Sequence, residues 1–439
     1  MKNPRILLWA LIVLLPLSLS AEAADWPQWR GPSLNGSTDE TNLPGSWSED
    51  ENILWATPLP GPSGATPVIS GDRIFVSSMF ISSSEYGALC LDAKSGEKLW
   101  EKIFGSFTER YLEDNNPASP SPVTDGNTVV FYYSTGKMEA FDIEGNPLWS
   151  KNLIDEYGPF HIKYGYSSSP LLYEDKLYIP VLRRDRPTNL RRGMTVAEDE
   201  LLDSYLLALD FATGQGIFKE TRTTNAYEES MESYTTPMPF NNNSRMEIIC
   251  NGGDFVTAHD PETGKEIWRF EYQTSKVPFG RIIPSLVPID NFIIGTRYKH
   301  NGVFGLKPGG SDGSPEPEMV WDLRSPSPDA STPLYYKDRV YAFNGIQAVI
   351  ACLEPETGEV IWQGQIDSRA PFRASMTGAD DKLYCISELG EVVVLAAGGD
   401  EFKILFETTI DEPAIRSSIA VADGKLFIRT AENLYCIGK

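Results

Sequence analysis

The stretch Ala88-Leu89-Cys90-Leu91-Asp92-Ala93-Lys94-Ser95-Gly96-Glu97-Lys98-Leu99-Trp100 decides the fold, because its pattern returns down the chain. A small residue and a hydrophobe lead to an acid. A turn glycine follows, and then an aromatic. The pattern reappears at Asp142…Gly145…Trp149, Asp210…Gly214…Phe218, Asp260…Gly264…Trp268 and Glu354…Gly358…Trp362. A fixed internal period outranks any local assignment, since each repeat buries its faces only against its neighbours.

Each copy opens on a small-residue start: Thr66-Pro67, Ser121-Pro122, Ser169-Pro170, Thr236-Pro237, Pro284-Ser285 and Thr332-Pro333, then Ser375-Met376 and Ser417-Ser418. A turn such as Ser70-Gly71-Asp72 or Asp125-Gly126-Asn127 follows, with residues that tolerate positive φ or bond their own backbone. β-branched runs then complete four strands, a to d, per copy. The spacing predicts an all-β, eight-bladed β-propeller of four-stranded antiparallel blades. The eighth copy ends at Lys439 after its third strand. Asn52–Thr57 reads as a lone strand d with its aromatic, Trp55, and is expected to close the last blade. Closure removes two exposed sheet edges.

Residues 1–23 read as a secretory signal peptide: Lys2 and Arg5 precede the apolar run Ile6–Leu19, and Ala21-Glu22-Ala23 is a small-x-small cleavage site. Residues 24–439 form one propeller domain, expected to be periplasmic or secreted and a monomer. No other apolar run is long enough to span a membrane. The net charge of −23 excludes nucleic acid as a partner, which needs a basic face. The five cysteines read as free, buried thiols. Cys90, Cys352 and Cys436 occupy the strand-c position that is Ala140, Ala208, Ala258 or Gly305 in other copies, where a small side chain is wanted.

These repeats resemble the PQQ-like β-propeller family, whose eight-bladed members include quinoprotein dehydrogenases and BamB-type outer-membrane assembly factors. The start Asp25-Trp26-Pro27-Gln28-Trp29-Arg30-Gly31-Pro32 and the end Arg416–Ala420 through Ile437 are similar to an exported subgroup common in planctomycete-type bacteria. The resemblance implies the fold and leaves the chemistry open. Quinoprotein dehydrogenases carry a vicinal cysteine pair and a Ca²⁺ donor set. This chain has no adjacent cysteines, no haem-type Cys-x-x-Cys-His and no assignable metal set.

No nucleophile elbow, zinc motif or phosphate-binding loop is present. His161, His259 and His300 are the three histidines. His259 precedes a repeat acid, and a structural role in that turn is expected of it. The repeat acids themselves read as turn-forming. No catalytic residue and no metal ligand are assigned, and no cofactor is expected, with PQQ and Ca²⁺ as the alternative.

Loop length points to one face. In a propeller the a–b and c–d turns share one face, and the b–c and d–a connections share the other. The long connections at 79–86, 106–117, 154–166, 183–204, 221–232 and 272–280 all fall on the second face, where binding residues sit. They supply the loop-face candidates His161, Tyr164, Arg183, Arg184 and Arg186, an aromatic-plus-arginine composition suited to recognition. The residues leading into each strand a are expected to ring the channel mouth on that face: Asn116, Tyr166, Glu232, Arg281, Asp329, Arg373 and Arg416. Three arginines against two acids leave one positive charge, a funnel for an anion or a polar chain. The other reading of the same charges is a set of ion pairs that plug the channel. The functional reading is a non-catalytic binding or scaffold propeller recognising a protein segment or glycan. The alternatives are a small PQQ-dependent dehydrogenase and a BamB-type assembly subunit.

Overall fold

The structure, a computed structural model, describes residues 25–48, 51–107, 115–185, 202–298, 301–310, 316–410 and 415–439. Eight four-stranded antiparallel sheets are arranged as blades, each built from consecutive strands except the last. In the last blade, Ile53–Pro58 pairs antiparallel with Asn433–Ile437 and supplies the outer strand. The strand read from Asn52–Thr57 thus closes the ring.

The strand register explains the repeat. On strand c the small residue lies opposite the aromatic of strand d: Cys90 faces Trp100, Ala140 faces Trp149, Gly305 faces Trp321 and Cys436 faces Trp55. A larger side chain there would displace the ring. A Cβ on Gly305 would sit 2.3 Å from the Trp321 indole nitrogen. All five cysteines are free and buried, and burial pushes their thiols up to about 12.

The aromatics then lock blade to blade. The indole N–H of Trp100 donates to Ile143 O (3.1 Å), that of Trp149 to Phe211 O (3.0 Å) and that of Trp321 to Pro355 O (2.9 Å), each in the following blade. The turn glycine lies beneath the ring. Gly96 has φ +73°, and a Cβ on it would meet Trp55 at 2.6 Å, so conformation and space both demand glycine. The repeat acid builds that turn: the Asp92 carboxylate accepts from Ser95 N (2.7 Å), Ser95 Oγ (2.8 Å) and Lys94 N (3.1 Å). The Ser95 bonds hold the carboxyl below its ordinary value.

The Ser/Thr starts form a second lock, around the axis. The backbone N–H of Thr66 donates to Ser121 Oγ, Ser121 to Ser169, Ser169 to Thr236, and Thr236 to Ser285 (2.9–3.2 Å). Ser285 donates to Thr332 and Thr332 to Ser375, while Ser418 donates to Thr66 across the closure (3.0–3.2 Å). A crown of hydroxyls therefore encircles the channel, one per blade.

The channel is stoppered below this crown. Strand a runs from the crown to the a–b turn, and the segment 25–38 bonds to it on that side. Trp26 pairs with Ile69, Thr124 N donates to Pro27 O, the Gln28 side-chain amide donates to Leu172 O and accepts from Leu172 N, and Thr38 N donates to Gly378 O. The Arg30 guanidinium is 2% exposed and donates to Met376 O (3.0 Å), Pro333 O (2.9 Å) and Asn35 O. Burial brings its pKa down to about 9. This N-terminal segment joins blades 1, 2, 3, 6 and 7 and closes one end of the ring.

Candidate functional site

The open end of the channel holds a cavity of about 400 Å³. Its floor is the hydroxyl crown, with Trp29 of the stopper below, and its wall carries Tyr164, Tyr234, Arg281, Arg373 and Arg416. The three arginines, each leading into a different strand a, therefore line one space on the long-loop face.

Their charges are matched more fully than the sequence count suggests. Glu388, in the b–c turn of blade 7, pairs with both Arg416 (2.8 Å) and Arg373 (3.2 Å), and Asp329 lies 3.6 Å from Arg373. Glu229 pairs with Arg281 and with Lys163 (2.8 Å). Burial raises the Glu229 carboxyl, but the Lys163 and Arg281 bonds outweigh that and hold it below its ordinary value. Tyr164 lies under two cations, the Arg281 guanidinium at 4.6 Å and the Lys163 ammonium at 5.0 Å from the ring centre. The expected surplus positive charge is thus corrected, because Glu229 and Glu388, absent from the sequence count, offset these cations. The arginine side chains still keep 24–39% of their surface exposed.

Other expected mouth residues lie elsewhere. Tyr166 is 1% exposed: its ring packs on Tyr132 and Phe160, and its hydroxyl donates to Pro180 O (2.9 Å). Gly165, at φ +83°, turns the chain there, and Tyr164 and Ser167 line the cavity instead. Asn116 caps its own turn, accepting from Ala118 N and donating to Pro62 O, while Asn115 lines the cavity. Glu232 is fully buried behind the wall. It accepts from the Arg184 Nε, from the Tyr234 hydroxyl (2.9 Å) and from Lys163 N (3.1 Å). Burial pushes its carboxyl up, against the pull of Arg184. Burial between blades stabilises the Tyr166 ring, and the turn at Gly165 brings Tyr164 to the lining in its place.

The loop-face candidates need correction too. Arg183 is buried and donates to Pro159 O (2.7 Å), Asp203 O (3.1 Å), Gly158 O (3.2 Å) and Tyr157 O (3.2 Å). It staples two long loops together rather than facing solvent. Arg184 is buried on Glu232, with Glu228 at 3.4 Å. His161 is fully buried, and burial, then Arg183, lowers its pKa. Arg186 lies outside the described residues, as does His300. His259 does serve its turn: its ring bridges Gly264 O (2.8 Å) and Thr257 Oγ1 (2.9 Å).

Sequence reasoning missed the crown, the stopper, Glu229 and Glu388. The constant hydroxyl at each blade start signalled the first. A polar–aromatic segment ahead of the repeats signalled the second. The two glutamates lie in irregular loops with no period to mark them.

No group of three His, Cys, Asp or Glu among the described residues is arranged to hold a metal ion, and no described helix is long and apolar enough to cross a membrane. The family model described as outer membrane protein assembly factor BamB matches residues 38–179, 252–397 and 347–437. Among curated proteins, the dehydrogenase subunit of the quinone alcohol dehydrogenase of Acetobacter aceti is 31% identical over 292 residues, 60% of this chain and 34% of the relative. Polyvinylalcohol dehydrogenase of a Pseudomonas species is 25% identical over 308 residues, 64% and 43% respectively. The chain thus spans less than half the length of either relative. Among solved structures, BamB from Moraxella catarrhalis superposes with TM-score 0.59 at 13% identity, covering 88% of this chain and 99% of that one. Quinohemoprotein alcohol dehydrogenase from Comamonas testosteroni gives 0.65 at 13% identity, covering 96% and 82%. These two likenesses concern the fold. With the family model covering most of the eight blades, the chain belongs to the PQQ-like repeat propeller family.

Proposed function

We propose that this protein is an exported, non-catalytic binding module whose open channel mouth takes an extended segment of a partner protein. The observation that carries this reading is the cavity itself: about 400 Å³, closed below by the chain's own stopper, floored by hydroxyls and walled by three arginines and two tyrosines. A rigid scaffold with a lined opening on its long-loop face suits recognition. A glycan is the other ligand that such a polar, aromatic mouth suits. A family model described for an assembly factor supports protein binding, in the manner of a BamB-type subunit.

A quinone dehydrogenase is the second reading, favoured by the two curated relatives. PQQ is a tricarboxylate, and Arg281, Arg373 and Arg416 suit its carboxylates. A Ca²⁺ partner fits poorly, because Glu229, Glu232 and Glu388 are each already engaged by a guanidinium. A photo-crosslinking amino acid placed at exposed Phe279 tests the two readings in the native exporting cell. The binding module predicts a discrete crosslinked partner band. Absence of that band, together with a quinone absorption band and alcohol-dependent dye reduction after adding PQQ and Ca²⁺, would refute it.

A further inference from the structure

The ring makes its own cavity floor rich in hydrogen-bond donors. A hydroxyl has one donor hydrogen and two acceptor lone pairs. In the crown an oxygen lone pair of Thr66, Ser121, Ser169, Thr236, Thr332 and Ser375 receives a backbone N–H from the preceding blade. None of these six gives its hydroxyl hydrogen to another protein group among the described residues, and all six line the cavity. Acceptors nearby are already engaged: Glu232 by Tyr234 and Arg184, Glu388 by two arginines, Glu229 by Lys163 and Arg281. A ligand on the axis therefore meets O–H groups from below and guanidinium groups from the side.

We propose that the crown seats a carboxylate at the tip of an extended partner segment, with the hydroxyls donating from below and Arg281, Arg373 and Arg416 from the wall. This rests on reading the mouth as a segment-binding site and names the chemistry it selects. Charge-assisted bonds to a carboxylate are the stronger class, and several converging donors fix its position. A peptide suits the surroundings better than a small anion. Phe279 (71% exposed), Leu389 (55%) and Tyr227 (52%) stand on the same face outside the cavity. A ligand wholly inside cannot touch them, whereas a longer chain leaving the crown can reach them.

The test uses the mature protein and a fluorescein-labelled octapeptide with an apolar first half and an Asp-Glu end bearing a free carboxyl. Its counterpart ends in Asn-Gln-carboxamide. Fluorescence anisotropy should show the acidic peptide binding at least about tenfold tighter. Thr236→Val should weaken it by about tenfold, Thr236→Ser should leave it unchanged, and Arg373→Gln, at an exposed side chain, should weaken it without altering the melting temperature. Equal binding of the two peptides overturns the carboxylate claim. So does unchanged affinity in both Thr236→Val and Arg373→Gln. Tighter binding of oligogalacturonate would replace the peptide with an anionic glycan and overturn the occupant named here. A crosslinked partner at Phe279 together with no preference for the acidic peptide would sink this inference alone and leave the binding reading intact.

Discussion

Two tryptophans in equivalent positions should respond differently when removed, because one guards the seam of the ring. Trp55 caps the last blade against Gly96 of the first, and Trp100 caps the first blade against Gly145 of the second. Trp100 donates to Ile143 O and packs with Phe75, Phe131 and Phe141, at 5.9–6.2 Å between ring centres. Among the described residues the Trp55 indole N–H is buried without a partner, and its ring contact is Phe427 at 6.1 Å. Truncating a buried Trp to Ala costs about 3–5 kcal/mol, and partial exposure brings these two to roughly 2–3. Trp100→Ala loses a hydrogen bond as well, about 1 kcal/mol more. At equilibrium Trp100→Ala should therefore be the more destabilising. Kinetics should reverse the order. Blades 1 and 2 stay joined by the chain after Trp100, whereas the strand carrying Trp55 meets Asn433–Ile437 only through non-covalent contacts. If the seam opens first, most of the Trp55→Ala loss appears in the unfolding rate, an acceleration of about 30–100-fold for 2–2.7 kcal/mol. Stopped-flow unfolding in guanidinium followed by tyrosine fluorescence measures both variants. A Trp55→Ala chain that unfolds no faster than Trp100→Ala would refute seam-first opening.

Four further outcomes follow. Arg30→Met should lower the melting temperature, because Met376 O and Pro333 O lose their buried donor; an unchanged melting curve would show that the stopper does not hold the ring. Thiol titration should find none of the five cysteines reactive in native protein and all five after denaturation without reductant. Two buried groups should tilt stability in opposite directions. Burial lowers the folded pKa of His259 to about 4, so its contribution is lost as pH falls from about 6.5 toward 4, by up to about 3 kcal/mol. Burial raises Asp254 to about 7, so its contribution is lost as pH rises from about 4 through 7; urea midpoints of His259→Gln and Asp254→Asn across that range should each flatten one slope, and parallel curves for wild type and variants would contradict the assignments.

Much of the fold was readable because the interactions that build it repeat. Five copies combine a small strand-c residue under an aromatic with a turn glycine and an acid that ties the turn, so the same requirement is recorded five times. Even the cysteines yield to this logic, since Cys90 and Ala140 meet equivalent rings. The mouth was only partly readable. Arg281, Arg373 and Arg416 could be placed by their position before strand a, which the repeat fixes. Tyr166 and Glu232 could not, because side-chain direction there depends on Gly165 and on the packing of Tyr132, Phe160 and Arg184. Arg183 and Arg184 looked like a recognition patch in composition. Only the fold reveals that four loop carbonyls and a buried glutamate take up their donors.

This division between periodic and irregular parts also bears on specificity. The crown arises from the repeat and lines the cavity with nearly equivalent hydroxyls from seven blades, so under the proposed reading it would hold an acceptor on the axis without fixing an orientation about it. The wall breaks that symmetry. Arg281 and the stacked Tyr164 and Lys163 stand on one side, and Arg373 and Arg416 share Glu388 on another. Beyond them, Tyr227 and Phe279 lie above the first side, on loops latched together by Glu229 N to Pro278 O and Ser230 Oγ to Val277 O. A partner that binds tightly would use the symmetric floor for affinity and the asymmetric wall for register. Substitutions in the crown should then weaken all acidic peptides alike, while substitutions at Tyr164 or Phe279 should change which peptide is preferred.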